Sequence, residues 1–313
     1  MISTLSGPAQ IFLANVDQIQ RNLAEANQQV SSGMKVSVPS DDPDDIAPLL
    51  QLRADLARNT QIQSNLTLAQ TDASTADGVL TTAIQLMNQA QTLATQATDT
   101  TLSATDRASI AGQIQSIQQQ MVDLSNTQVQ GRYIFSGDDD QTPAYEINSG
   151  DDPLGNGVTQ ISSSPATRQV QDPAGGAFAV SETAQQIFDA RNADGSCATG
   201  NVFASLTALQ QALAGATGSD TSGIQAVAAN LQAASVQLNT AQGFYGNVED
   251  RIQAAQTYAA NQNTQLQTQI GNIQDADVAS AALQLSQYQT QLTAAFQAQA
   301  EIPTKTLFDY MNA

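Results

Sequence analysis

A seven-residue spacing of apolar side chains near the C-terminus is the feature that most restricts the fold of this chain. The repeat has a main series and a companion series three residues further on: Leu231, Leu238, Tyr245, Ile252, Ala259, Leu266 and Ile273, with Ala234, Ala241, Val248 and Ala255. Such a repeat places one apolar stripe along a helix, and that stripe packs against a second helix. The register slips at IQDADVAS, residues 273–280, and a new apolar series begins at Val278.

Both ends of the chain carry an apolar seam with alternating spacings of three and four. The seams are Leu5, Ala9, Phe12, Val16, Ile19, Leu23, Ala26 and Val30 at one end, and Val278, Ala281, Leu285, Tyr288, Leu292, Ala295, Gln299 and Ile302 at the other. This spacing lets two helices wind around each other. We predict that the terminal helices form an antiparallel pair; the alternative is that each packs on another part of the molecule.

The two ends also lack charge and carry apolar residues beside the seam. Residues 1–16 and 278–300 contain no charged side chain, although the formal net charge of the chain is −19. Exposed apolar patches mark interaction surfaces, and neutral ends avoid like-charge repulsion when copies pack together. We therefore predict a polymerisation interface formed by Leu5, Phe12, Val16, Ile19, Leu23, Leu285, Tyr288, Leu292 and Phe296.

The composition argues against several other functions. The chain has 29 acidic and 10 basic residues, no histidine and one cysteine, Cys197. Clustered Lys and Arg are needed to bind nucleic acid, and histidine is the commonest general base and metal ligand. We therefore expect no nucleic-acid partner, no disulfide, no cofactor and no enzymatic activity. The uncharged stretch 278–300 contains six glutamines, so we expect no membrane insertion, and we see no cleaved secretory signal.

Between the two ends, local signals predict further helices. Apolar spacing predicts a helix over about residues 49–97 and a break near residue 100. Ser103, followed three residues later by Asp106, has the spacing of a capping box. We predict that a new helix starts there and continues to about residue 130.

A change in composition at Gly137 predicts a different kind of structure. The segment GDDDQTPAYEINSGDDPLGNG is rich in turn-forming residues, and the short alternating runs that follow are typical of strands. A short helix is predicted at about residues 202–213. The predicted fold is mainly α, a long antiparallel helical bundle or coiled coil from the N- and C-terminal segments with a small β-rich insert domain. We predict polymerisation helices at 1–35 and 275–313, a helical bundle core at 36–137 and 201–274, and an outer β-rich insert at 138–200.

An acidic segment, SDDPDD at residues 40–45, has two interpretations. Its four aspartates are suitable ligands for a hard cation such as Ca²⁺ or Mg²⁺. The other interpretation is a helix start, with Ser40 or Asp42 as N-cap and Pro43 in the first turn, where acidic residues are favoured. We favour the helix start, because local rules account for the acids without a ligand.

Three motifs resemble the flagellin superfamily. The SSG and SDDP elements resemble its N-terminal segment, and GNIQDADVASAALQLSQYQTQL at 271–292 resembles its C-terminal DAD segment. GRYIFSGDDDQTPAY at 131–145 resembles the branch of hook-associated protein 3. The resemblance covers about residues 1–145 and 225–300, and its motif residues are Ser32, Gly33, Ser40, Asp41, Asp42, Pro43, Gly131, Phe135, Gly137, Asp275 and Asp277.

This resemblance implies a structural subunit of the bacterial flagellum that joins the hook to the filament. It implies residence outside the cell after export through the flagellar type III apparatus, with an export chaperone. It also implies a ring of copies between a second hook-associated junction protein and flagellin. Two alternatives remain: flagellin itself, and an extracellular coiled-coil binding module whose acidic insert captures a ligand.

Overall fold

The structure is a computed structural model that describes residues 7–148, 152, 154–216 and 221–301. Within these residues the chain forms seven helices and six short strands. The helices are α1 Gly7–Ser32, α2 Pro43–Ala97, α3 Ala104–Ser125, α4 Ala184–Phe188, α5 Val202–Gly215, α6 Ser222–Gln274 and α7 Val278–Glu301; the strands are β1 Gln128–Val129, β2 Arg132–Tyr133, β3 Tyr145–Ile147, β4 Val158–Gln160, β5 Gln169–Gln171 and β6 Ala177–Ala179. The predicted fold class, mainly α with a small β-rich insert, is confirmed.

Internal contacts divide the chain into two compact units. Unit 1 lies within Met1–Arg58 and Gln262–Ala313, and unit 2 comprises Asn59–Asn261. The boundary falls inside α2 and inside α6, so each of these helices contributes to both units. The division into polymerisation helices, bundle core and outer insert stays a prediction.

In unit 1, α1 packs along α7 in the antiparallel direction. At one end of the pair the Phe12 and Phe296 rings meet edge to face, with centroids 6.4 Å apart. At the other end the Ala276 N–H donates to the Gly33 carbonyl at 2.9 Å. Early residues of α1 therefore lie beside late residues of α7, and the predicted pairing is confirmed.

In unit 2, α2 and α6 also run antiparallel. The side-chain amides of Asn59 and Gln91, near opposite ends of this part of α2, donate to the carbonyls of Ala259 and Leu231 on α6, at 2.7 and 3.2 Å. The predicted seam of α6 faces inward, and its members are at most 5 % exposed in this unit: Leu231, Ala234, Leu238, Ala241, Tyr245, Val248, Ile252, Ala255 and Ala259. The heptad pattern therefore identified the buried face of this helix.

The capping box at Ser103 is also confirmed. The Ser103 hydroxyl accepts from the Asp106 N–H at 3.2 Å, and the Asp106 carboxylate accepts from the Ser103 N–H at 3.1 Å. The helix that starts there, α3, ends at Ser125 rather than near residue 130. The chain then forms the β1–β2 hairpin, which the sequence analysis did not predict.

The strands form three separate antiparallel pairs, β1–β2, β3–β4 and β5–β6. A buried carboxylate, Asp189, ties the surrounding loops together. It accepts hydrogen bonds from the Tyr145 hydroxyl at 2.9 Å and from the side-chain amides of Asn156 and Asn201 at 3.1 and 2.6 Å. Burial, followed by the neighbouring Asp189 charge, raises the pKa of the Tyr145 phenol. The Arg191 guanidinium also donates to this carboxylate, so the buried acid is both paired and hydrogen-bonded.

The segment containing β5 and β6 contacts both long helices of unit 2. Toward α2, the Arg168 guanidinium donates to Asp72 at 2.8 Å. Toward α6, the Glu182 N–H donates to the Tyr245 hydroxyl at 3.1 Å, and the Arg251 guanidinium lies 4.1 Å from the centroid of the Phe178 ring. The β5–β6 segment is thus fastened across α2 and α6 rather than held at its ends alone.

Gly157 permits the closest approach between the insert and the helices. Its φ is +72°, and a Cβ atom there would lie 2.4 Å from the Gln118 amide nitrogen and 2.6 Å from the Thr207 hydroxyl. Gln118 is buried and donates to both the Asn156 carbonyl and the Thr207 hydroxyl. It cannot move aside without losing these bonds. Gly155 has a similar φ, +67°, with open space around it.

We predict that Gly157→Ala destabilises unit 2 far more than Gly155→Ala. The unfavourable φ costs about 1–2 kcal/mol in both variants, whereas the clash at Gly157 adds about 1–3 kcal/mol for broken buried hydrogen bonds. Equilibrium unfolding in urea, followed by circular dichroism, measures the difference. Equal losses in the two variants would show that the Gln118 contact is not rigid.

Candidate assembly interface

The seam residues of α1 and α7 face each other but are only partly covered. Among the described side chains of the pair, Val16, Ala26 and Ala281 are buried. Most of the remaining interface residues predicted from the sequence are half-buried: Phe12, Ile19, Leu23, Leu285, Tyr288 and Leu292. Phe296 is 52 % exposed while touching Phe12. Leu5 lies outside the described residues.

Exposed apolar side chains flank the seam on both helices, and the charged residues of α1 begin at Asp17. Ile11 and Leu13 on α1 are 65 % and 48 % exposed, and Leu283 on α7 is 67 % exposed. Burying one such side chain completely contributes about 1.5–3 kcal/mol. Because α7 has no charged residue over 278–300, a partner can cover this surface without desolvating a charge. The exposed leucines and isoleucine suit an apolar partner surface, and the six glutamines of 278–300 need hydrogen-bonding partners there.

The ends of α1, α6 and α7 meet at a joint, which we define as residues 33–36 and 274–276. Gly33 ends α1 with φ +71°, as a C-cap glycine does. Met34 and Asp275 form an isolated antiparallel bridge, and the Lys35 N–H donates to the Gln274 carbonyl at 2.7 Å. The motif residues Gly33 and Asp275, far apart in sequence, therefore lie side by side.

Asp277 starts the next helix, α7. Its carboxylate accepts from the N–H groups of Ala279 and Ser280 at 3.0 and 3.2 Å, which is the geometry of an N-cap. Ser32 acts at the end of α1, where its hydroxyl donates to the Gln28 carbonyl at 2.7 Å. These motif residues therefore define where the terminal helices begin and end.

The acidic segment at 40–45 contacts its own chain. The Asp41 carboxylate accepts from the N–H groups of Val38 and Ser37, both at 2.9 Å, and these bonds lower the pKa of Asp41. Asp42 directly precedes α2, which begins at Pro43, and Lys35 pairs with Asp42 at 3.2 Å. The predicted helix start is confirmed, with Asp41 serving the preceding loop. Ser40 is exposed.

The remaining motif residues lie in unit 2 and shape a turn. Gly131 and Gly137 have φ of +77° and +63°, and a Cβ on Gly137 would lie 2.5 Å from the Ala166 carbonyl oxygen. Phe135 is 1 % exposed and packs edge to face on Phe188 and Tyr245. These three residues support the insert rather than the terminal helices.

Some features were not found from the sequence. Gln274 holds the joint through its backbone and its side chain, and only the register slip beside it marked this position. Asp189 is a buried acid surrounded by turn residues, with no local pattern to distinguish it. In the described ranges, no three acidic, cysteine or histidine side chains come together to hold a metal ion. None of the described helices is long and apolar enough to cross a bilayer.

These residues define a class of protein: a mainly helical subunit whose N- and C-terminal segments pair and leave apolar side chains exposed beside the seam. Family comparison agrees with this description. The bacterial flagellin N-terminal helical region matches residues 2–140, and the bacterial flagellin C-terminal helical region matches residues 228–311. The chain belongs to the flagellin superfamily.

Two curated relatives carry the name flagellar hook-associated protein 3. The Escherichia coli protein is 28 % identical over 211 residues, which is 64 % of this chain and 63 % of the relative. The Salmonella typhimurium protein is 30 % identical over 129 residues, 40 % of each chain. The matches thus span less than two thirds of these relatives.

Solved structures share the fold. A hook-associated protein structure from Vibrio parahaemolyticus has a TM-score of 0.64 at 19 % identity, covering 75 % of this chain and 100 % of that one. The flagellar junction protein FlgL from Legionella pneumophila has a TM-score of 0.56 at 14 % identity, covering 72 % and 99 %.

We predict that acid loosens the loop held by Asp41. In the folded protein the pKa of Asp41 lies below its ordinary value. The stabilisation that the Asp41 carboxylate gives to the loop is therefore complete above the ordinary pKa and is lost as the pH falls through the lowered pKa. Amide exchange at Ser37 and Val38 should therefore lose protection over this acid range. Asp41→Ala should remove the protection at every pH, while Asp44→Ala, in the first turn of α2, should retain it. Unchanged protection in Asp41→Ala would contradict the assignment.

Proposed function

We propose that this chain is a structural subunit of the bacterial flagellum that serves as the adaptor between hook and filament. The observation that carries the proposal is the partly covered α1–α7 pair, uncharged over residues 278–300, in a chain of the flagellin superfamily. Its junction location is supported by the two relatives named flagellar hook-associated protein 3. The GRYIFSG element, in which Phe135 is buried beneath the insert, supports the same branch.

In this role the terminal helices contact copies of the same chain in a ring. One side of the ring meets a second hook-associated junction protein, and the other side meets flagellin. The protein acts outside the cell without enzymatic activity or cofactor, after export by the flagellar type III apparatus with a chaperone. Residues 1–35 and 275–313 form the polymerisation region, 36–137 and 201–274 the bundle core, and 138–200 the outer insert.

Flagellin is the second candidate, because the matching family regions are those of bacterial flagellin. Purified chain added to filament seeds distinguishes the two. Continued elongation by the chain alone identifies flagellin. Failure to elongate, together with attachment to hook ends that carry the other junction protein, identifies the adaptor.

Deleting the gene tests the adaptor role in cells. The expected phenotype is a cell that makes hooks and releases unattached flagellin into the medium. Restoring the gene should return filaments to the hooks. Normal filaments in the deletion strain would overturn the adaptor proposal.

We predict that Leu283→Asp blocks incorporation into the flagellum without unfolding the isolated chain. Leu283 is 67 % exposed, so the monomer tolerates the carboxylate. In an assembly the charge is buried without a partner, a cost of several kcal/mol. The measurements are the amount of chain in purified flagella and the circular dichroism of the monomer.

Three variants refine this prediction. Leu285→Asp alters a half-buried seam residue, so it should reduce both incorporation and α7 helicity. Leu154→Asp makes the same change at an exposed leucine of the insert and should incorporate normally. Leu283→Asn removes the apolar contact without a charge and should give an intermediate defect. Normal incorporation of Leu283→Asp would show that this face stays in solvent.

A further inference from the structure

One buried amide connects the segments that meet at the joint of unit 1. Gln274, the last residue of α6, is 8 % exposed. Its backbone carbonyl accepts the N–H groups of Lys35 and Val36 at 2.7 and 3.3 Å. The end of α6 is therefore fastened to the link between α1 and α2.

The side chain of Gln274 makes two further contacts. Its Oε1 accepts from the Arg53 guanidinium of α2 at 2.9 Å, and its Nε2 lies 2.9 Å from the Met34 sulfur as donor. A glutamine supplies an acceptor and a donor from one planar group. Leucine supplies neither, and glutamate supplies only the acceptor.

The joint has one short side and one long side. Only residues 275–277 connect α6 to α7, whereas residues 33–42 connect α1 to α2. Because α1 and α7 pack on each other, they change direction together. Any such change must disturb the bonds between 33–36 and 274–276, and Gln274 makes most of those contacts.

We propose that Gln274 is a positioning residue. Its side chain fixes the direction of the α1–α7 pair relative to the end of α6 and the adjoining turns of α2. This inference rests on the proposed function for its biological role, since a fixed direction prepares the exposed apolar side chains of the pair for neighbouring subunits. If the direction of the pair is fixed before assembly, less conformational entropy is lost when the subunit joins its neighbours. Gln274 therefore acts on assembly through geometry, without touching the neighbouring subunit.

Distance measurement in the monomer tests the positioning role directly. Nitroxide labels are placed at exposed sites on α2 and α7 by Ala54→Cys and Ala282→Cys, with Cys197→Ser to remove the native thiol. Pulsed electron resonance should give one narrow distance distribution for the otherwise unchanged chain. Gln274→Leu should broaden it. Gln274→Glu keeps the acceptor for Arg53 but loses the donor to Met34, so it should broaden the distribution less than Gln274→Leu does.

A matched variant controls for the loss of an amide from α6. Gln269→Leu makes the same change at an exposed position of that helix and should leave the distribution narrow. Arg53→Met should broaden the distribution as Gln274→Leu does, and combining both changes should add little. A narrow distribution in Gln274→Leu would overturn the proposal, and so would equal broadening in Gln269→Leu.

Assembly provides the second readout. We expect Gln274→Leu to reduce incorporation into flagella about tenfold, the effect of losing one or two hydrogen bonds of ordinary net strength. The thermal unfolding of unit 2 should not change. Broadening with normal incorporation would overturn the role in assembly. If the unmodified chain failed to enter flagella, the proposed function would fail, whereas the monomer distances would still test positioning by Gln274.

Discussion

The antiparallel contact between α1 and α7 is the interaction on which the rest of unit 1 depends. It is narrow: among the described side chains of the pair, only Val16, Ala26 and Ala281 are buried. The joint at Gly33 and Ala276 fixes one end by a backbone bond, and the Phe12–Phe296 ring contact defines the other. A helix pair with so little buried surface gains further stability when partners cover its outer faces. Because residues 278–300 carry no charge, a partner can cover them without removing water from a charged side chain.

Unit 2 places its charges differently. Residues 59–261 contain 18 acidic and 5 basic side chains. Arg168, Arg191 and Arg251 each contact an acid of the same unit, at Asp72, Asp189 and Asp172 respectively. The Arg168 and Arg251 contacts join the insert to α2 and α6, the Arg191 contact lies within the insert, and unit 2 keeps an excess of acidic residues. Like charges repel between copies, so close packing of copies favours the uncharged stretches 7–16 and 278–300 of the terminal helices over unit 2.

Sequence patterns predicted the features that are set by neighbouring residues. The heptad series identified the buried face of α6, and Ser103 with Asp106 identified a capping box. Both signals relate residues that are at most seven positions apart in the sequence. Apolar spacing placed the start of α2 too late, near residue 49, whereas the acidic segment at 40–45 predicted the start that the structure has, at Pro43 with Pro48 inside the helix. Pro48 is the sixth residue of α2, where it cannot make the backbone hydrogen bond to the Asp44 carbonyl. The contacts of Gln274 with Met34 and Arg53 join residues more than 200 positions apart, and periodicity carries no information about such contacts.

The joint also explains why helix-ending signals occur at two distant places in the chain. α1 pairs with α7, and α2 lies beside α6 where Arg53 meets Gln274. The link between α1 and α2 and the link between α6 and α7 must therefore lie beside each other at the joint. Gly33 ends α1 and Asp277 caps α7, so each break is fixed by a local rule. One residue added to only one helix would shift it by about 1.5 Å and rotate its seam by roughly 100°. Such a shift would move the seam of one helix away from the seam of its partner. The end of α1 at Gly33 and the start of α7 at Asp277 are therefore coupled through the geometry of the pair.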